Sequence, residues 1–490
     1  MLLALLLAVV CGLAGYVFIS HRNRIRAGLK PACSVSRAHL TCDSGDMMNG
    51  LNSVVAVITF TRSVRFEDFR AKFVSTIIDR ECVFRRKMVF VSGCMYWQSV
   101  GPEWNPVDNM SVLKHRVKEH DLQALASKLL SEAVPLESPC WNVVFVEDLA
   151  LETGAEMASA VLFRYHHALA DGFTMIQKMI SKMRPVDGSV ETAKLFPVPR
   201  ESSVVPKGLS LMRSFLRGAS EILKLSPDAA GIFRGISARQ PNEKINVAFA
   251  ANLSVEEVKQ IAHAASAQLA VGRISVNDVI TAIVTLALRA HHMRTAPSVI
   301  PKDITTVVWV SLKKSFDFSD SASNVKWDND SLGFAYCQLP LSSESANECL
   351  ELCHTRLSAL KSSAQPLVIN SALKLIGALP VNVGKAISAK TADIASVSMS
   401  NLPGPSCPVY WPVGGQDEDT SKIGLVASVH FATSPPFHFG PLLSVISYCG
   451  TFYVSVSARD ELLSQSDLEW ITGPGMREAA DQLLASSIHR

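Results

Sequence analysis

The sequence predicts a mixed α/β protein built in two halves and preceded by an apolar N-terminal segment. Its 490 residues exceed one ordinary core, because domains average about 150 residues. Strand-like and helix-like runs mix in both halves, without the regular strand–helix repeat of a doubly wound sheet. With 48% hydrophobic and 19% charged residues, the chain can bury a large interior, which excludes disorder, collagen and coiled coil.

The charge balance argues against a nucleic-acid partner. The 47 Lys and Arg residues against 44 Asp and Glu leave a net charge of +3. Nucleic-acid-binding domains usually concentrate far more positive charge. The mean hydropathy of +0.21 is high for a soluble enzyme and low for a protein with many membrane spans.

The first 20 residues carry no charged side chain. At about 1.5 Å per residue, a helix of this length matches the hydrocarbon core of a bilayer. Arg22, Arg24, Arg26 and Lys30 follow the apolar run, whereas a signal peptide has its basic residues first. The positive-inside rule then keeps the body in the cytosol. We predict a single-pass anchor over 1–20, in the endoplasmic reticulum or plasma membrane, with a cleaved signal peptide as the alternative.

Composition divides the remaining chain into four segments. They are a basic juxtamembrane linker at 21–48, an N-terminal sub-domain at 49–184, a linker at 185–241 and a C-terminal sub-domain at 242–490. The second linker is rich in Pro, Ser, Arg and Lys. Its amphipathic stretch at 209–225 predicts a helix that either packs on its own domain or lies in a membrane interface.

Periodicity predicts the individual elements. In the first half, strands are expected at 49–61, 141–149 and 157–169, with helices at 66–80 and Val112–Val134. In the second half, strands are expected at 245–253, 305–312, 334–341, 395–402, 442–450 and 451–458, and helices at 254–269 and 274–292. The adjacent His291 and His292 are expected at the exposed end of the last helix.

Residues 164–172, with the sequence RYHHALADG, are the sharpest local feature. A strand that ends in two histidines places their rings on opposite faces, so one can enter a cleft while the other packs. This arrangement argues against a shared metal ion. A neutral imidazole can take a proton from a hydroxyl near neutral pH, and Asp171 can fix the turn by accepting hydrogen bonds. Taken alone, the motif is equally compatible with a purely structural turn.

The chain contains no G-x-S-x-G, P-loop or G-x-G-x-x-G motif. Direct attack by a substrate hydroxyl is therefore the simplest chemistry that the motif could support.

The HHxxxDG pattern resembles the wax ester synthase/diacylglycerol acyltransferase family of the CoA-dependent acyltransferase superfamily. Peptide-synthetase condensation domains share this pattern, so the specificity comes from further segments in the family order. These segments are Pro135–Trp141, similar to PL…PLW with Cys140 in place of Leu; Asn277–Val279, similar to NDV; Val310–Lys313, similar to VSLR with Lys313 in place of Arg; and Ser400–Pro405, similar to SN-x-PGP.

The resemblance implies two acyltransferase sub-domains with a tunnel at their interface. It implies transfer of a fatty acyl group from acyl-CoA, a co-substrate, to diacylglycerol or a fatty alcohol at a membrane, with no cofactor or metal. His167 would be the general base, His166 would support the site and Asp171 would brace the loop. The substrate-binding residues implied by position are Gly172, Asn277, Asp278, Ser400 and Asn401.

Several alternatives stay open. Ser275–Asp278 fits a helix capping box, and Ser400–Asn401 also fits a simple strand end. One rival function is a condensation-type enzyme that makes amides from carrier-bound acyl groups. The other is a catalytically inactive, membrane-tethered lipid-binding protein of the same fold. The sequons at Asn109, Asn252 and Asn329 would matter only for a lumenal body.

Overall fold

The architecture comes from a computed structural model. It describes residues 29–31, 37, 51–91, 94–152, 157–187, 209–228, 233, 243–269, 271–299, 302–312, 331–379, 381–392, 394–412, 424–436 and 439–488. The predicted anchor at 1–20, Lys313 and Asn329 lie outside these residues. Within them, no helix combines the length and the apolar character needed to cross a membrane.

The described chain mixes runs of strands with runs of helices, without a regular alternation. The strands are β1 (Lys30–Pro31), β2 (Ser53–Phe60), β3 (Arg86–Val91), β4 (Cys94–Ser99), β5 (Met110–Leu113), β6 (Val117–Lys118), β7 (Trp141–Ala150), β8 (Ala158–His166), β9 (Arg184–Pro185), β10 (Ile245–Ser254), β11 (Ile304–Ser311), β12 (Leu332–Leu339), β13 (Val397–Leu402), β14 (Val409–Trp411), β15 (Gly424–Thr433), β16 (Leu442–Tyr448) and β17 (Thr451–Arg459). The helices are α1 (Phe66–Phe73), α2 (Asp121–Ser131), α3 (Gly172–Ile180), α4 (Leu209–Leu223), α5 (Val255–Gln268), α6 (Val276–Thr295), α7 (Ala346–Lys361), α8 (Gln365–Ala378), α9 (Val381–Ala392), α10 (Gln465–Trp470) and α11 (Met476–Ile488).

The first large sheet has the strand order β5-β7-β8-β2-β15-β14-β9, with β6 also paired to β7. Successive side chains of β8 alternate between two cores, as a pleated strand requires. Phe163 faces an aromatic core shared with α1, where its ring lies 5.8 Å from that of Phe73. Leu162 faces the second core, which is closed by Leu122 and Leu129 of α2. The central strand β8 is therefore buried along its whole length.

The second large sheet has the strand order β10-β17-β16-β13-β11-β12. Helices α5, α6, α7 and α11 share one core with it. Helix α6 is apolar on nearly all sides and is buried from Asp278 to Leu288, which explains its unbroken hydrophobic sequence. On the other face, at the β11–β12 edge, residues of α4 and α8 pack in a smaller core. A third, small sheet has the order β1-β4-β3.

The two halves interlock through β15. This strand lies in the C-terminal half of the sequence but pairs antiparallel with β2 of the first sheet, with Val429 opposite Ile58. It also contacts the second sheet, where the Tyr453 hydroxyl donates to the carbonyl of Ala427 at 3.3 Å. Residues from the predicted 242–490 segment thus complete the sheet of the predicted 49–184 segment.

Most predicted strands and helices are present, with two kinds of difference. The helix expected over Val112–Val134 is confined to α2, because the first part of that stretch forms β5 and β6. Strands β3, β4 and β15 were not predicted. In the linker, the predicted helix is present as α4.

Candidate functional site

Backbone hydrogen bonds fix the end of β8, where the paired histidines lie. The N–H of His166 donates to the carbonyl of Cys140 at 2.9 Å, and the N–H of His167 donates to the carbonyl of Asn52 at 2.8 Å. Cys140 is fully buried, and burial raises the pKa of its thiol to about 12. The segment that resembles PL…PLW therefore holds the first histidine in place through its backbone and carries an inert thiol.

The His166 ring is fully buried. Its Nδ1 accepts a hydrogen bond from the N–H of Ala168 at 3.1 Å. His166 is thus oriented by the turn that it precedes.

The His167 side chain is only partly buried. Burial, with a smaller contribution from the adjacent His166 ring, lowers the pKa of His167 to about 4. The imidazole is therefore unprotonated at neutral pH and can accept a proton. The two histidines thus differ in exposure: His166 ends β8, whereas His167 begins the turn that follows this strand.

Asp171 begins α3 as its N-cap. Its Oδ1 accepts the N–H of Thr174 at 2.7 Å, so the prediction that this carboxylate fixes the turn is confirmed. Gly172 is the first residue of the helix. A Cβ atom at this position would lie 3.1 Å from Cδ1 of Leu402, at the end of β13. The motif therefore packs directly against the second half of the chain.

Two other predicted site residues contact each other across the second half. The amide Nδ2 of Asn401 donates to Oδ1 of Asn277 at 2.6 Å. Ser400 precedes Asn401 on β13, where both side chains are partly exposed. Since Leu402 follows directly and contacts Gly172, this part of β13 links the start of α6 to the histidine motif.

A second connection reaches the motif from β15. The N–H of Ser434, just beyond this strand, donates to the carbonyl of Ser53 at 2.9 Å. Ser53 lies opposite His166 in the register of β2 and β8. The motif consequently lies at the junction of the two halves.

Asp278 caps the start of α6 and is buried there. The capping box is confirmed, because Ser275 Oγ accepts the N–H of Asp278 and the Asp278 carboxylate accepts the N–H of Ser275. The same carboxylate is fully buried and lies 2.9 Å from His354 Nδ1. The carboxylate is therefore enclosed between α6 and α7, and a contact of Asp278 with substrate stays a prediction.

Two supporting interactions near the motif were missed by the sequence reasoning. The Arg164 guanidinium donates to the carbonyls of Leu129 at 2.6 Å and Glu132 at 3.0 Å, so it caps the end of α2. Lys178 of α3 is buried 3.3 Å from the carboxylate of Glu81. The sequence does contain a signal for this pair: Lys178 is the only charged residue in the apolar run FTMIQKMI, which favours a buried lysine with an acidic partner.

The expectation for His291 was wrong. This histidine is buried, with Nε2 3.0 Å from the Asp467 carboxylate, because Asp467 caps α10 against the end of α6. His292 is partly exposed. In the part of the chain that the structure describes, no group of three or more His, Cys, Asp and Glu side chains could hold a metal ion.

Two models of one protein family match the chain. A model described as the wax ester synthase/diacylglycerol acyltransferase catalytic domain matches residues 109–273. A model of the C-terminal domain of the same family matches residues 327–468. A candidate diacylglycerol O-acyltransferase from Mycobacterium tuberculosis is 26% identical over 330 residues, and the match covers 62% of each protein. The chain thus spans less than two thirds of that relative's length.

Solved structures share the fold at low sequence identity. A wax ester synthase/diacylglycerol acyltransferase from Marinobacter aquaeolei is 15% identical, with a TM-score of 0.60 over 94% of this chain and 99% of its own. The starter condensation domain of rhizomide synthetase, solved with C8-CoA, is 11% identical, with a TM-score of 0.57 over 94% of this chain and 96% of its own. These likenesses establish a two-lobed, mixed α/β condensation-domain-like fold.

Proposed function

Because the chain belongs to the wax ester synthase/diacylglycerol acyltransferase family, we propose that it transfers a fatty acyl group from acyl-CoA to a lipid hydroxyl. The acceptor would be diacylglycerol, giving triacylglycerol, or a long-chain alcohol, giving a wax ester. One observation carries this proposal: His166 is buried and oriented, whereas the adjacent His167 is partly exposed with a lowered pKa.

His167 would act as the general base. Its unprotonated imidazole takes the proton of the lipid hydroxyl while the hydroxyl oxygen attacks the thioester carbonyl carbon. The tetrahedral oxyanion collapses, the carbon–sulfur bond breaks, and the leaving thiolate of CoA takes the proton from His167. The products are the ester and free CoA, so the reaction needs no oxidant, reductant or further reactant.

The remaining residues of the junction would position the substrates. Asp171 holds the turn after His167 by capping α3, and Gly172 leaves room for Leu402. Asn277 and Asn401 join the start of α6 to the end of β13. A rigid junction keeps the base in one orientation, which is the main requirement for general-base catalysis. A condensation domain of the same fold was solved with C8-CoA, which supports acyl-CoA as the donor.

The proposed location is the cytosolic side of a membrane, with residues 1–20 as the anchor. Two sequons support this placement. The side-chain amide of Asn109 donates to the carbonyls of Pro139 and Trp141. That of Asn252 donates to the carbonyls of Thr472 and Gly473. Glycosylation replaces one N–H of the amide and would therefore remove at least one of its two bonds. Endoglycosidase treatment of the cellular protein should leave its electrophoretic mobility unchanged.

The test is an acyl-transfer assay on membranes that contain the full chain. Labelled palmitoyl-CoA is offered with diacylglycerol or hexadecanol, and labelled ester is measured for the wild type and for His167→Ala. General-base catalysis contributes about 10²–10⁴-fold in rate, so the variant should lose at least 100-fold.

His263→Ala is the matched control, because His263 is an exposed histidine of α5 outside the junction. It should retain wild-type activity. Equal activity of wild type and His167→Ala would contradict the assignment of the base. Folded wild-type protein that makes no ester with either acceptor would favour the lipid-binding alternative.

A further inference from the structure

Exposed apolar side chains are concentrated on three neighbouring helices of the second half. Among the described residues, six of the ten large hydrophobic side chains exposed to solvent belong to α4, α8 and α9. Isolated exposed apolar residues are normal on protein surfaces, but a group on adjacent helices usually marks an interaction site. The six residues are Phe215, Leu216, Leu223, Leu375, Val383 and Ile387.

Helix α4 is held firmly with one side against the protein. Gly218 is buried where a Cβ atom would lie 3.1 Å from the backbone of Ala364. The Glu221 carboxylate accepts the Ser363 hydroxyl at 2.9 Å and the Gln365 amide at 3.3 Å. Ile222 packs in the core between α8 and the β11–β12 edge. The outward side of α4 is therefore fixed by these contacts.

That outward side carries an apolar line beside a basic line. Leu216 is 61% exposed and Leu223 is 85% exposed, and their spacing of seven residues places them on the same side of the helix. Arg213, Arg217 and Lys224 are exposed next to them. We call these five residues the α4 surface. Leu375 of the adjoining α8 is 63% exposed.

The charges of the three helices are also one-sided. Helices α4, α8 and α9 contain five Lys and Arg residues against one acidic residue, Glu221. Glu221 is engaged with Arg217, Ser363 and Gln365. An apolar line flanked by cations complements the interface of an anionic bilayer, where leucines enter the acyl boundary and cations contact lipid phosphates.

We propose that the α4 surface is a docking surface for an anionic lipid membrane. Docking through this surface orients the protein on the bilayer, in addition to any tether at residues 1–20. The inference deepens the membrane location proposed above but does not depend on acyl transfer. It also reconciles the two predictions for this helix, since one side of α4 packs on its own domain and the other side meets lipid.

The test uses the full chain in vesicles of phosphatidylcholine and phosphatidylserine. The photo-crosslinker p-benzoylphenylalanine is introduced in place of Leu216, of Leu223 or, as a matched control, of Val299, an exposed apolar residue of another region. Irradiation should give adducts with labelled lipid at positions 216 and 223, at least five times more than at position 299. Equal labelling at position 299, or adducts to protein alone at 216 and 223, would overturn the proposal.

Charge reversal gives a second, independent arm. Arg213→Glu combined with Lys224→Glu should reduce lipid adducts at position 216 at least threefold, whereas Lys259→Glu with Lys302→Glu, two exposed lysines elsewhere, should not. Repeating the labelling in His167→Ala separates the two proposals. If the α4 surface docks on the membrane, the lipid adducts at positions 216 and 223 should be unchanged in this variant, whether or not acyl transfer is lost. Disappearance of these adducts would contradict the proposal.

Discussion

His354 of α7 contacts acceptors through both ring nitrogens: Nδ1 lies 2.9 Å from the Asp278 carboxylate and Nε2 lies 3.0 Å from the carbonyl of Val271. Both ring nitrogens of His354 are thus engaged, which holds the ring in one orientation. The pair joins α7 to the first turn of α6, one residue from Asn277. A buried contact in the second half thereby supports a residue at the junction with the histidine motif.

Variants of Asp278 separate its two structural roles. Asp278→Asn keeps an oxygen that can accept the N–H of Ser275 but removes the charge facing His354. Asp278→Ala removes both. Leaving the buried His354 ring without its hydrogen-bond partner costs about 1–3 kcal/mol, and losing a cap costs about 1 kcal/mol. In urea titrations, the unfolding free energy should therefore be highest for the wild type, lower for Asp278→Asn and lowest for Asp278→Ala. Equal stability of the two variants would show that the cap contributes nothing measurable.

The buried pair of Lys178 and Glu81 should be important for the stability of α3. Lys178→Met leaves the Glu81 carboxylate buried without its ammonium partner, which should lower the unfolding free energy by about 3–5 kcal/mol. Adding Glu81→Gln should recover much of this loss. For comparison, Lys244→Met breaks the exposed pair of Lys244 with Asp460 and should cost less than about 1 kcal/mol. A small effect of Lys178→Met would mean that the pair contributes little.

His430 should make the protein less stable in mild acid. Burial lowers its pKa to about 3, so the unfolded chain binds a proton below pH 6.5 that the folded chain does not bind. The unfolding free energy should fall as the pH falls, by about 1.5 kcal/mol between pH 6.5 and 5.0 for this residue. This contribution of His430 should disappear in His430→Gln. Urea titration of both proteins at the two pH values measures it.

Exposed His263 provides the control for this pH dependence, and His263→Gln should behave like the wild type. His167, whose pKa is lowered to about 4, should leave a remaining dependence of the same sign in His430→Gln. If the unfolding free energy of His430→Gln fell with pH as steeply as that of the wild type, the assignment of this pH dependence to His430 would be contradicted.

The Pro-Gly-Pro turn after β13 requires glycine for steric reasons. A Cβ atom at Gly404 would overlap the carbonyl oxygen of Ser447, at the end of β16. Gly404→Ala should therefore cost about 1–3 kcal/mol in thermal or urea unfolding. At Gly473, no atom lies within 4 Å of the position that a Cβ would occupy, so Gly473→Ala should not destabilise the protein. Equal stability of the two variants would contradict the steric explanation.

Local signals in the sequence predicted most of the second sheet and the start of α6. The β-branched runs of β11, β13, β16 and β17 are long enough to show their periodicity, and Ser275 with Asp278 marks the helix start. The motif at the end of β8 and the cap at Asp171 are local as well. These features depend on residues within a few positions of each other.

The missed features depend on partners far away in the chain. His430 of β15 lies opposite Val57 of β2, and periodicity cannot show which sheet a strand joins. Burial of His291 depends on Asp467, which is 176 residues away. Asp278 was predicted as a cap and a substrate-binding residue, but its partner His354 belongs to another helix. β5 and β6 are too short to be distinguished from an amphipathic helix.

The pairing of β15 with β2 constrains how this protein can be synthesised and re-engineered. During translation, the edge of β2 that faces away from β8 stays open until the ribosome has released residue 433, and open edges promote aggregation. A fragment that ends in the linker would lack β14 and β15. A chimera joined in the linker to another family member would carry that protein's β14 and β15. A chimera that keeps the first sheet intact should therefore exchange β14 and β15 together with the first half.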